Sequence, residues 1–150
     1  MNFSKELSVG NRILDSEHKK LHGTINEIAR SIAAKDNTAL LAAFELLENA
    51  LRAYFVIEEN IAQAVDFDFT QHRLAHQGLL NKFQRIKVEL IAKNGMSSKF
   101  DDECYIDSLR NCLIRHIKVD DKPLKIVLET YFYDFKPDSV VGTPVLHGCG

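Results

Sequence analysis

Apolar residues recur at spacings of three and four through four long stretches of this chain, and the alternation expected of strands is nearly absent. From Asp15, the residues Leu21, Ile25, Ile28, Ala29 and Ile32 keep to one stripe up to a break at Lys35-Asp36-Asn37-Thr38. Asn37 or Thr38 is placed to cap a second helix, in which Leu41, Phe44, Leu47, Leu51, Tyr54, Phe55, Glu58 and Ile61 recur as far as about Val65. Asp66 to Thr70 reads as a turn with aromatic plugs. Thr70 then caps a third helix carrying His72, His76, Leu79, Leu80, Phe83, Ile86 and Leu90, which stops at Asn94-Gly95. After Ser97-Ser98-Lys99, a fourth helix starts around Asp101 and carries Tyr105, Leu109, Cys112, Leu113, His116 and Ile117. Four long helices joined by short loops predict an all-α, up-down-up-down antiparallel four-helix bundle.

The pattern changes beyond Asp121. Pro123 suits the first turn of a short helix from Leu124 to about Tyr131, because that position needs no backbone donor. From Lys136 the chain holds Pro137, Gly142, Pro144, Gly148 and Gly150, which predicts an irregular tail. The expected organisation is therefore one bundle domain over residues 1–135 and a tail over 136–150, and 150 residues are enough for one sizeable core.

Charge and cysteine usage exclude several classes of partner. With 21 acidic and 19 basic residues in mixed order and a net charge of −2, the chain has no electrostatic footprint for nucleic acid or an anionic membrane. No run approaches the roughly 18 apolar residues of a membrane span, and the amino terminus lacks the apolar core of a signal peptide, so a cytoplasmic chain is expected. Cys104, Cys112 and Cys149 are too few and too irregular for a disulfide framework or zinc ribbon. The spacing of Cys104 and Cys112 is a core-face spacing, which predicts buried thiols.

The chemistry lies in polar residues on the inward stripes. His72 and His76 stand four apart, so on a helix their imidazoles share one face with Cβ atoms about 6 Å apart, close enough for one metal ion. That pair alone arises by chance in helical proteins. His116, however, lies within the apolar run Leu113 to Ile117, where an uncoordinated imidazole needs buried partners. Asp121 follows five residues later, Glu58 occupies the stripe of the second helix, and His18 stands upstream in DSEHKKL. Carboxylates on apolar stripes are costly unless a cation neutralises them. Imidazole and carboxylate without thiolate favour iron, manganese or zinc, and two bridging carboxylates favour a dinuclear site.

These residues resemble the hemerythrin-like family in its bacterial, single-domain form, from about Leu7 to about Leu124. LSVGNRILDSEHKKL is similar to the family's entry into its first helix with the first histidine ligand, here His18. The second-helix motif, histidine-Phe-x-x-Glu-Glu, is matched by Tyr54-Phe55-Val56-Ile57-Glu58-Glu59, the HxxxH of the third helix by His72 and His76, and the His-Ile-x-x-x-Asp-Lys of the fourth by His116-Ile117 and Asp121-Lys122. The resemblance implies two iron ions with an oxo or hydroxo bridge, further bridged by Glu58 and Asp121. One iron would be held by His72, His76 and His116, the other by His18 and position 54, with an open place for dioxygen. Leu113 would line the dioxygen side.

Position 54 departs from the family pattern, because a tyrosine stands where an imidazole is expected. A phenol, with a solution pKa of about 10, must lose its proton to ligate, which a ferric ion enforces far better than a ferrous one. As a ligand, Tyr54 would favour the ferric state and make a poorer dioxygen carrier; the other reading is a phenol packed in the bundle with a hydrogen bond. Cys112 stands where the family often has tryptophan, which would leave a roomier pocket. His22 is assigned to the surface or to a supporting shell around the ligands, and His147 to neither.

Three functions follow from this reading. The first is a non-haem di-iron protein binding dioxygen or a related small molecule for transport, storage or sensing, as a monomer or weak homo-oligomer. The second is a di-iron enzyme acting on peroxide, nitric oxide or ferrous iron. The third is a degenerate bundle with one metal or none, acting through partners. No nucleophile with an adjacent base and no glycine-rich phosphate loop is visible, so hydrolase and kinase chemistry have no support.

Overall fold

A computed structural model describes residues 12–129 of the chain. Four long helices, α1 (Arg12–Ala33), α2 (Asn37–Ala64), α3 (Thr70–Lys93) and α4 (Lys99–Arg115), are followed by a π-helical turn over His116–Asp120 and a short α5 (Lys122–Glu129). Helix α1 packs on α2 and α4, and α3 packs on α2 and α4, closing a ring of four. Consecutive helices joined by connections as short as 34–36, 65–69 and 94–98 can lie side by side only if they run antiparallel. The expected boundary near 135 and the tail from 136 lie outside the described residues, as do Tyr131, His147 and Cys149.

The helix ends correct several expected boundaries. Asp36, not Asn37 or Thr38, caps α2, its carboxylate accepting from the backbone N–H of Ala39 at 3.0 Å. A carboxylate before the first turn answers both an unpaired donor and the positive end of the helix dipole. Thr70 is the first residue of α3 and not its cap; Asp68 accepts from its backbone N–H at 3.1 Å and from its hydroxyl at 2.8 Å. Ser98 caps α4 by accepting from Asp101 N–H at 3.1 Å, so that helix begins two residues before Asp101. At the far end of α3, Asn94 (φ 49°) and Gly95 (φ 75°) take left-handed conformations that stop the helix as anticipated. The side chain of Asn37 donates across to Asn94 at 2.6 Å, tying the start of α2 to the end of α3.

The core is a column of apolar side chains: Leu21, Ile25 and Ile28 from α1, Leu47, Leu51 and Ile61 from α2, Phe83 and Ile86 from α3, and Leu109 and Leu113 from α4. Each fully buried aliphatic or Phe side chain contributes about 1.5–3 kcal/mol relative to exposure. Three expectations on the stripes are overturned. Leu41 is exposed, and Leu40 and Ala43 face inward beside Phe44. On α4 the inward row is Ile106, Leu109, Leu113 and His116, so Tyr105 is only half-buried, Cys112 is half-buried and Cys104 is exposed. The row is set by what faces α1 and α3, and it falls one residue away from the row that the cysteines suggested. Among the described residues no helix is long and apolar enough to cross a membrane.

Candidate metal centre

Toward one end of the column the core turns polar. Glu58 from α2, His72 and His76 from α3, His116 at the entry to the π-turn and Asp121 at its exit are all buried. Each offers one nitrogen or oxygen atom within 4.8 Å of all the others. The i, i+4 spacing of His72 and His76 does what an α-helix dictates, bringing the rings together edge to face on one side with centroids 4.6 Å apart.

His116 and Asp121 converge for a different reason. Five residues along an α-helix turn a side chain about 140° away from its start, which would send Asp121 out of the site. The chain instead adds a residue to this turn: Asp121 N–H donates to His116 C=O at 2.9 Å, an i to i+5 bond. Asp121 thereby returns to the inner face, with Oδ1 lying 3.0 Å from His116 Nε2 and 2.9 Å from His72 Nε2. Asp120, half-buried on the outer side of the ring, meets the other nitrogen, His116 Nδ1, at 3.0 Å.

The two oxygens of Asp121 face opposite sides of the site. Oδ1 faces His72 and His116, whereas Oδ2 accepts from the Tyr54 hydroxyl and lies 3.6 Å from His18 Nε2. Tyr54 and His18 are fully buried and meet edge to face, with ring centroids 4.8 Å apart. Glu58 faces the three-histidine side, its Oε1 lying 2.9 Å from His76 Nε2 and its Oε2 3.3 Å from His72 Nε2. His18 stands outside the five-residue group and approaches it through Asp121. The phenol oxygen of Tyr54 reaches the carboxylate of Asp121.

Charge explains the protonation of these groups. Burial and the neighbouring charge of Asp121 push Glu58 up, but the imidazoles of His116, His72 and His76 outweigh both and hold it at about 2. Burial also works against ionised Asp121, and the charge of His116 with the imidazoles around it overcomes that, keeping it well below the usual carboxylate range. Burial disfavours the charged form of His72, yet Asp121 and Glu58 raise it to about 9. At His76 burial wins and the value falls. Tyr54 is pushed well above its ordinary value, first by burial and then by Asp121 and Glu58. A cluster of two carboxylates and several imidazoles under such opposed pressures is the usual signature of a functional site.

The donor set fits a transition-metal ion on its own geometry. Glu58 Oε2, Asp121 Oδ1 and His116 Nε2 are buried without completing a hydrogen bond, although their neighbours lie about 3 Å away. Lone pairs converging on a common point produce that arrangement. Donors bound at about 2.0–2.1 Å and at right angles to one another lie about 3 Å apart, which matches the separations found here.

Sequence reasoning missed the residues that brace this set. Phe55 stacks on His76 (centroids 3.7 Å apart, planes at 13°), and Phe69 stacks on His72 (4.6 Å, 11°). Arg73 Nε donates to the buried carboxylate of Glu59 at 3.0 Å while its guanidinium lies over Phe69 at 5.8 Å, linking α2 to the ring that packs on His72. The signal for Phe55 was its place beside Tyr54; for Asp120 it was the Asp-Asp doublet. His22, assigned to the surface or a supporting shell, is buried one turn from His18 on α1. Leu113 is fully buried.

Comparison with known proteins gives a consistent picture. The family model described as "Hemerythrin HHE cation binding domain" matches residues 9–125. The chain is similar to a protein named bacteriohemerythrin from Pseudomonas aeruginosa, 21% identical over 131 residues that cover 77% of this chain and 86% of that one. It is also similar to proteins named hemerythrin-like protein from Naegleria gruberi and Naegleria fowleri, each 28% identical over 128 residues that cover 85% of this chain and 92% of the relative. No solved structure matches the chain significantly.

Proposed function

The chain belongs to the hemerythrin HHE cation-binding family, and on that premise we propose that it is a cytoplasmic non-haem di-iron protein that binds dioxygen or a related small molecule in the bundle core. The observation that carries the proposal is the convergence of Glu58, His72, His76, His116 and Asp121, with Asp121 turning its second oxygen to Tyr54 and His18. His72, His76 and His116 would hold one iron and His18 and Tyr54 the other, with the carboxylates of Glu58 and Asp121 shared between them. Two iron ions held there supply a redox-active place for a small oxygen species. The chain's own residues do the rest. Leu113 and the apolar column beneath the site exclude bulk water, and the aromatic rings of Phe55 and Phe69 fix the planes of His76 and His72.

Tyr54 gives one observation that favours a second reading, an enzyme acting on peroxide, nitric oxide or ferrous iron. A phenolate ligand favours the ferric state, which suits turnover better than reversible carriage. Reconstitution with iron under nitrogen followed by exposure to air tests both. Two irons per chain and a spectrum that reverts when dioxygen is removed support carriage. Irreversible oxidation with steady consumption of peroxide supports the enzyme, and failure to take up iron removes both.

A further inference from the structure

The motif that contributes His116 and Asp121 contains one more acidic residue, Asp120, at a position that the family pattern leaves open. Its carboxylate Oδ2 lies 3.0 Å from His116 Nδ1, while the opposite ring nitrogen, Nε2, faces Asp121 Oδ1 at 3.0 Å. One imidazole is therefore bracketed by consecutive carboxylates, one on each nitrogen. The π-turn makes this possible: the fourth residue after His116 reaches back to the outer edge of the ring, and the fifth comes round to the inner edge.

We propose that Asp120 is a positioning residue for the metal centre, fixing His116 with its proton on Nδ1 and its Nε2 lone pair directed at the ion. The inference rests on the di-iron reading above and names the control of one of its ligands. A ring nitrogen that donates to a carboxylate leaves the other nitrogen a stronger, correctly aimed donor. A carboxylate against the outer nitrogen would also place negative charge beside the ligand, which would favour a ferric over a ferrous ion. Its surroundings suit that role. Asp120 is 29% exposed, against 1% for the His116 side chain. It opens onto a cleft of about 510 Å³ between α3 and α4, lined also by Gly78, Lys82, Ser108, Cys112 and Arg115. The hydrogen bond to His116, and after it the charges of His116 and Arg115, hold the Asp120 carboxyl below its ordinary range, and His116 itself reaches the wall of the cleft with only 1% of its side chain exposed.

Asp120→Asn and Asp120→Ala separate the two parts of the proposal, because asparagine keeps an acceptor but loses the charge. In the iron-loaded chain, Asp120→Asn is expected to retain the wild-type iron content with a higher ferric/ferrous midpoint potential. Asp120→Ala is expected to surrender iron to a chelator with affinity lowered about 10–100-fold. In the zinc-loaded wild type, nitrogen NMR should find the His116 proton on Nδ1 in slow exchange with water, and in Asp120→Ala that protection should be lost. Unchanged potential, affinity and exchange in both variants would overturn the role of Asp120 while leaving the metal site intact. A wild-type chain that binds neither iron nor zinc would overturn the functional reading and this inference together.

Discussion

Tyr54 and Asp121, 67 positions apart, are joined by a buried hydrogen bond in which the phenol donates to Oδ2 of the carboxylate. That contact places the unusual residue of the second helix against a carboxylate whose other oxygen faces the three-histidine side. Tyr54→Phe should therefore act at two levels. In the metal-free chain it leaves a buried carboxylate oxygen short of a donor, with an expected loss of about 1–3 kcal/mol in denaturant unfolding. In the iron-loaded, air-oxidised chain it should abolish a broad visible phenolate-to-iron band. A wild-type spectrum without that band would mean that Tyr54 remains a phenol.

Stability of the metal-free chain should depend on pH in both directions. His72 is raised from 6.5 to about 9, so its contribution is complete below about 6.5 and is lost as pH rises through about 9. Glu58 is lowered from 4.5 to about 2, so its contribution is complete above about 4.5 and is lost as pH falls toward about 2. His76, whose value falls below 6.5, contributes stability that is complete above about 6.5 and is lost as pH falls below it, which steepens the acid side. Urea midpoints of the metal-free chain should thus peak between about 4.5 and 6.5, and His72→Gln should flatten the alkaline side. A wild-type midpoint that keeps rising past pH 8 would contradict the pairing.

Metal should stabilise the fold by mass action, since an ion that binds only the folded chain adds about 2.7 kcal/mol at one hundred times its Kd. The thermal midpoint is expected to fall on chelation and to recover on adding iron back. No change in Tm with or without iron would show that the cluster holds its shape without metal and gains nothing from it.

Leu113 is fully exposed to the consequences of truncation because it is fully buried. Leu113→Ala should cost about 2–5 kcal/mol. It should also hasten oxidation of the ferrous protein in air, since the cavity it leaves lies beside His116. Equal oxidation rates in variant and wild type would remove Leu113 from the small-molecule pocket and leave it a core residue only.

The cap of α2 is an independent test of the fold. Asp36→Ala removes the acceptor for Ala39 N–H and should lower stability by about 1 kcal/mol with iron content unchanged.

Local physics made much of this legible in the sequence. Stripes at three and four residues specified four helices, and short polar breaks specified their antiparallel order. Helical spacing alone put His72 beside His76. The motifs also singled out Glu58, His116 and Asp121 as candidates, because buried charge on an apolar stripe requires a partner. Other features depend on neighbours distant in sequence. The rotation of α4 that favours Ile106 over Tyr105 is set by the helices it faces. The burial of His22 and the contact of Tyr54 with Asp121 are likewise decided between helices. The convergence of His116 with Asp121 needs a residue added to one turn, and the α-helical period gives no hint of it. Periodicity along the chain determined the helices and most of the residues that face inward. Packing between helices decided which inward-facing atoms meet, because a hydrogen bond or a metal-sized gap is fixed by distances that no single helix sets.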